Sequence, residues 1–171
     1  MQIQLEPLTR DNFPIIRDWI DPHVFHIFRA PVDDTQLEKL LSKESGGVLA
    51  EIGMRAVDPE THNIVGLLHS VLDWQNDCAH IQQIVVDPVR RGKGYGSAIL
   101  ADFLQLCFDG HKLHRVQIFT EENNKAAMAC YEKVGFQIDG LLRDRVKTEV
   151  GYLGTYVFSI LSSELSPGTD S

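Results

Sequence analysis

Cysteine is scarce in this chain: three residues, Cys78, Cys107 and Cys130, in a length of 171. The count is odd and no C-x-x-C pair occurs, which argues against a disulfide framework and a structural zinc site. Long apolar runs are missing too. None reaches the ~18 residues that a membrane-spanning helix needs. The first residues, Met1-Gln2-Ile3-Gln4-Leu5-Glu6, hold neither a basic region nor an apolar segment, so no secretory signal is expected. Unpaired thiols without a signal predict a cytoplasmic protein. Positive charge is in short supply, with 16 Lys and Arg against 24 Asp and Glu and a net charge of −8. That balance argues against nucleic acid, whose phosphates need clustered cations. It suits a cationic partner such as an amine. Neither repeats nor low-complexity tracts nor linkers are present.

What is present is ordinary globular composition, 43% hydrophobic and 23% charged. Disorder of the whole chain is excluded. The length predicts one domain over residues 1–171, with a polar tail, Ser162 to Ser171, that frays. Strand-like and helix-like stretches alternate. Gln2 to Leu8 reads as a strand, Asn12 to Ile20 as a short helix with Pro14 in its first turn. His23 to Pro31 has no clear period. Asp33-Asp34-Thr35 opens a helix to about Leu41. Val48 to Val57 and Asn63 to Trp74 form a hairpin around Asp58-Pro59-Glu60-Thr61-His62. Ala79 to Val86 is a strand, Ser97 to Phe108 an amphipathic helix and Arg115 to Thr120 a strand. Asn124 to Lys133 is a helix capped by Gly135. Phe136 to Gly140 and Tyr152 to Leu161 close the list of strands. The class is α/β or α+β, a mixed sheet covered by helices.

Between a strand and a helix lies Arg90-Arg91-Gly92-Lys93-Gly94-Tyr95-Gly96. Its glycines permit positive φ and a close approach of the backbone to a ligand. The helix behind it offers free N–H groups and a positive dipole end. Together they predict a phosphate or pyrophosphate site. The spacing fits neither the P-loop nor G-x-G-x-x-G, so a nucleotide-binding module is excluded on spacing. Ser97 lacks the G-x-S-x-G setting of a nucleophile. Trp19 and Trp74 read as core or cleft-lining aromatics, and Cys130 as packing. The pairs His23/His26 and His111/His114 lack a third ligand in sequence, so no metal is expected.

The loop resembles the R-x-x-G-x-G/A signature of the GNAT superfamily of acetyl-coenzyme A-dependent N-acetyltransferases, with Arg91, Gly94 and Gly96 in its defined places. The strand Ile84-Val85-Val86-Asp87-Pro88 is similar to the family's strand ending. Asn124 to Phe136 is similar to its N-x-x-A-x-x-x-Y-x-K-x-G-F segment. The likeness covers about Ala79 to Asp139, which is then the cofactor-binding core. Gly140 to Arg143 with Tyr156 to Leu161 resembles the branch that includes ribosomal-protein N-terminal acetyltransferases, which often carries an acid where Gly154 or Thr155 stands.

The resemblance implies a mostly antiparallel sheet of about seven strands with helices on both faces. It also implies acetyl-coenzyme A as cosubstrate and direct attack by a primary amine, from a small molecule or a protein N-terminus. The backbone of Ile84, Val85 and Val86 would pair with the pantetheine arm. The pyrophosphate would rest on Arg91, Gly92, Lys93, Gly94, Tyr95 and Gly96, and Asn124 would position the cofactor. Tyr131 would be the general acid for the departing thiolate, although its helical face equally suits a core aromatic. The base stays open among His80, Gln82, Gln83, Glu121 and Glu122. Asp21, Phe25, Phe28, Asp33 and Asp34 are the substrate-facing candidates of the N-terminal part, with Asp33 and Asp34 reading first as solvated acids at a helix start. A monomer or homodimer is expected. The alternative is a non-catalytic acyl-coenzyme A sensor of the same fold.

Overall fold

Two apolar clusters on opposite sides of one sheet organise the chain. In the computed structural model, residues 1–20, 33–45 and 47–165 are described. The strands are β1 (Gln4–Pro7), β2 (Lys43–Ser45), β3 (Leu49–Val57), β4 (Ile64–Asp73), β5 (Cys78–Val86), β6 (Arg115–Glu121), β7 (Gln137–Thr148) and β8 (Gly151–Leu161). The helices are α1 (Phe13–Arg17), α2 (Asp34–Leu37), α3 (Tyr95–Gln105) and α4 (Lys125–Val134). The sheet runs β1-β3-β4-β5-β6-β8-β7, with the short β2 added beside β3. All pairings are antiparallel except β5 with β6.

α3 exists because Ile99, Leu100, Phe103 and Leu104 repeat at helical spacing, and each is fully buried. Burial of each such side chain is worth about 1.5–3 kcal/mol. They pack with Leu68, Leu72, Ala79, Ile81 and Phe158 on one face of the sheet. α4 lies on the same face. On the other face Phe13, Ile16, Ile20, Leu37 and Leu40 cover Leu67 and Val85. Two glycines permit the close approaches. A Cβ on Gly66 would come within 2.5 Å of Ile99 Cδ1. One on Gly53 would collide with the Leu40 backbone.

Several boundaries differ from the sequence reading. β2 is three residues long and carries no apolar alternation, so nothing local announces it. The N-terminal helices are shorter than expected. α2 gives way to a single tight turn at Glu38–Leu40. β7 runs on to Thr148 rather than stopping at Gly140. It is an edge strand held by its ladder to β8, bulged near Asp139 and Asp144, and mostly exposed. Periodicity misses such a strand because burial does not shape it. Of the tail expected to fray, Ser162 to Leu165 is anchored: Ser162 N–H donates to the His114 carbonyl at 2.9 Å, and Leu165 packs on the core. Residues 166–171 lie outside the described part.

Candidate active site

β5 and β6 pair only from Cys78–Arg115 to Ile81–Ile118, and then part. Both strands continue, to Val86 and Glu121. The separation begins at a bulge. His69 of β4 faces Gln83 and Ser70 faces Ile81, which leaves Gln82 as the extra residue of β5. The bulge reverses the alternation of faces. Ile81 packs on the α3 side, whereas Val85 packs under α1 and α2. From Gln82 onward the β6-facing edge of β5 has no strand partner among the described residues. Edge groups of this kind are ready to pair with an extended ligand. Of the expected trio Ile84, Val85 and Val86, the Val86 carbonyl is already used. It accepts from Arg91 Nε at 3.2 Å.

The glycine loop closes one end of this cleft. Gly92 and Gly94 have φ of 73° and 90°, and no heavy atom lies within 4 Å of a Cβ built on either. The residues Arg91 to Gly94 are exposed. Gly94 caps α3, whose first ladder bond runs from Ala98 N–H to the Gly94 carbonyl at 3.1 Å. The N–H groups of Tyr95, Gly96 and Ser97 therefore precede the ladder and are offered at the helix end. Gly96 has a different purpose. Its Cβ would lie 3.3 Å from Cys130 Sγ, so its absence lets α3 meet α4. The basic side chains are turned inward to the loop. Arg90 pairs with Asp87 at 3.2 Å and with the Tyr95 hydroxyl at 3.2 Å, and stacks over the Tyr95 ring. Lys93 Nζ donates to the Val89 carbonyl at 3.0 Å. The loop thus presents backbone donors on a braced frame, which suits a pyrophosphate.

Asn124 caps α4, its Oδ1 accepting from Ala127 N–H at 3.2 Å. At the other end Gly135, at φ 109°, turns the chain so that Phe136 N–H reaches the Tyr131 carbonyl at 3.1 Å. These two caps fix the last turn of α4 and with it Tyr131. The ring is 5% exposed and meets Phe158 edge-on at 5.5 Å and Phe136 at 6.1 Å. Burial holds the phenol well above its ordinary titration range, so it stays protonated. Its hydroxyl has no hydrogen-bond partner among the described residues, yet it is not among the sealed polar atoms. The core-aromatic reading and the proton-donor reading are both compatible with this placement.

On the α1–α2 face, level with the split, lies a cavity of about 200 Å³. Its walls include Leu40, Glu51, His69, Val71 and Gln83, with Lys39 at the rim. Glu51 Oε2 stands 3.5 Å from His69 Nε2 and 4.0 Å from Lys43 Nζ. Burial holds the His69 imidazole below its ordinary value, with Glu51 opposing and Lys43 adding to the shift. The wall at Leu40 is there because Gly53 lets the turn lie flat on β3. Gly53 N–H also donates to Ser42 Oγ at 3.1 Å.

Among the expected bases, the structure brings only Gln83 and Gln82 to this cavity. His80 sits where β5 and β6 are still paired and hydrogen-bonds the Gln117 amide through Nδ1. Glu121 ends β6 opposite Thr155. Glu122 accepts from Gly154 N–H at 2.7 Å. A Cβ at Gly154 would lie 3.2 Å from the Glu122 carboxylate and 2.8 Å from Leu141 Cδ1. A side chain at 154 would have to displace the ends of Leu141 and Glu122. Sequence reasoning missed His69 and Glu51. Their signal was weak: each is one of two or three polar residues in a largely apolar strand. Asp33 and Asp34 are exposed at the start of α2. Asp21, His23, Phe25, His26 and Phe28 lie outside the described residues. His111 stacks edge-on against Trp74 at 5.4 Å. Among the described residues no metal-binding group of three His, Cys, Asp or Glu gathers, and no helix is long and apolar enough to cross a membrane.

A parted strand pair, with a glycine-loop helix at one end and a buried tyrosine on the helix that follows β6, is an arrangement that suits an extended ligand carrying a pyrophosphate. Residues 11–136 match the acetyltransferase (GNAT) family, and the chain belongs to that family. It is 34% identical over 84 residues to the mycothiol acetyltransferase of Salinispora tropica. That stretch is 47% of this chain and only 27% of that protein. It is 28% identical to the streptothricin acetyltransferase of Escherichia coli, over 80% of this chain and 77% of that one. Its fold is similar to the crystal structure of spermidine N-acetyltransferase from Vibrio cholerae in complex with CoA and spermine. The TM-score is 0.80 at 21% identity, covering 97% of this chain and 99% of that one.

Proposed function

We propose that the protein transfers the acetyl group of acetyl-coenzyme A to a primary amine by direct attack. The observation that carries this reading is the parting of β5 and β6 after Ile81 and Ile118, beside the N-terminus of α3. The thioester supplies an activated acetyl group. The protein's part is to hold and orient it. The backbone of Arg91 to Gly96 receives the pyrophosphate, and the free edge from Gln82 to Val86 pairs with the pantetheine arm. Asn124, already committed to its cap, guides the arm past α4. Tyr131 gives a proton to the departing sulfur. The amine enters from the α1–α2 face, into the cavity of Glu51, His69 and Gln83. Direct attack of this kind needs no metal.

The names of the relatives support a small-molecule amine over a protein N-terminus. The three free thiols, two of them buried, suit a reducing compartment such as the cytoplasm. The cofactor-binding core then extends over about residues 79–139 of a single domain, and the active unit is a monomer or homodimer.

The test is release of free thiol from acetyl-coenzyme A with a panel of primary amines, with the acetylated products read by mass spectrometry. Turnover with at least one amine is expected. Tight coenzyme A binding without turnover across the panel would favour the sensor reading instead.

A further inference from the structure

The cavity on the α1–α2 face contains polar atoms that the fold leaves unsatisfied. Gln83 is 4% exposed, and both the nitrogen and the oxygen of its side-chain amide are buried without a hydrogen-bond partner among the described residues. Its register partner His69 is 8% exposed, and its buried Nε2 makes no hydrogen bond among the described residues, the Glu51 carboxylate standing 3.5 Å away. Buried polar atoms are nearly always paired, so an unpaired amide beside an imidazole whose nearest polar neighbour is a carboxylate at 3.5 Å needs an explanation. Both line the same cavity, and both sit at the bulge where β5 leaves β6. Leu40 and Val71 give that cavity apolar walls. The Gln83 amide, the His69 imidazole and the Glu51 carboxylate therefore line one cavity. An amine nitrogen with N–H donors complements this set.

We propose that Gln83 and His69 seat the nitrogen of the acceptor amine, and that His69 is the base that takes its proton. The proposal rests on the N-acetyltransferase reading. Gln83 Oε1 accepts one N–H and turns the nitrogen lone pair toward the cleft. The lone pair forms the N–C bond to the acetyl carbonyl, and the C–S bond breaks with its electron pair leaving on sulfur. The nitrogen loses one proton to His69 Nε2. Sulfur takes a proton from Tyr131 or from solvent. The imidazolium so formed faces the Glu51 carboxylate, 3.5 Å away on β3. The other charged groups around it are Lys43 of β2 and Lys39 at the rim, and both favour return of the proton. At neutral pH the buried imidazole is uncharged and ready to accept. His80, the sequence candidate on β5, is tied to Gln117 within the paired part of the strands.

The test uses the full chain with acetyl-coenzyme A and the best monoamine of the panel. His69→Gln should lower kcat by about 10²–10⁴-fold. It should also abolish the acid limb of the kcat/KM profile, with coenzyme A affinity by calorimetry unchanged. Gln83→Met should lower kcat/KM for the amine by about tenfold or more while the melting temperature holds or rises, because the unpaired amide is gone. A merely structural Gln83 would instead lose activity together with stability. If wild type turns over amines and His69→Gln keeps both its rate and its acid limb, the base assignment is overturned and the N-acetyltransferase reading stands. If Gln83→Met melts lower and loses activity in step, the seat is overturned. If wild type binds coenzyme A but acetylates no amine, the activity reading falls and this proposal with it.

Discussion

A Cβ on Gly53 would lie 1.6 Å from the carbonyl oxygen of Leu40. The turn at Glu38–Leu40 therefore rests directly on the backbone of β3, and this contact builds one wall of the acceptor cavity. Gly53→Ala must push the turn away. A loss of about 1–3 kcal/mol in stability is expected from such overpacking. The KM for the amine should rise while coenzyme A affinity holds. Thermal melts and calorimetry measure both, and an unchanged melting point with unchanged KM would refute the contact.

Gly94 separates fold from ligand binding. Its φ of 90° is left-handed and its Cβ position is open space, so Gly94→Val meets no packing clash. Backbone strain costs about 1–2 kcal/mol. The new side chain stands before the N–H groups of α3, so coenzyme A affinity should fall about tenfold or more, roughly 1.4 kcal/mol per decade. Circular dichroism should show the fold intact. Normal affinity in the folded variant would remove the loop from the cofactor site.

Tyr131→Phe keeps the ring contacts with Phe136 and Phe158 and removes only the hydroxyl. With general acid catalysis at stake, kcat should drop ~10²–10⁴-fold, about 3–5 kcal/mol of barrier, with cofactor affinity retained. Because burial raises the phenol's pKa, the wild-type rate should show no alkaline limb from this group below about pH 10. An unchanged kcat, with chemistry rate-limiting, would leave Tyr131 as a core aromatic.

Stability should depend on pH through the buried histidines. Burial depresses the folded-state pKa of both His69 and His80. The unfolded chain, with histidine near ~6.5, then binds more protons as pH falls. Stability from this source is complete above about pH 6.5 and is lost as pH drops below it. The carboxylates of Asp58 and Asp73 also sit low, held by the Thr61 N–H and the Asn76 amide, but they lose stability in more acid solution. Between pH 7.5 and about 5, the melting point of His69→Gln should fall less than that of wild type. Parallel falls would show that His69 does not sense the pH.

The sequence by itself determined the parts that obey local rules. The apolar spacing of Ile99, Leu100, Phe103 and Leu104 specified α3. The glycines before it specified the left-handed turn that opens the helix. Asn124 and Gly135 marked the ends of α4 and thereby the turn that carries Tyr131, since caps are written within four or five residues. Only the tertiary structure decided where β5 leaves β6 and what that exposes. Strand alternation assigns faces but not register, and one extra residue at Gln82 reverses the faces beyond it. Glu51, His69 and Gln83 come from three different strands, and the first two look unremarkable in theirs. They become a site because antiparallel pairing lays those strands side by side, and because Gly53 lets a turn close over them.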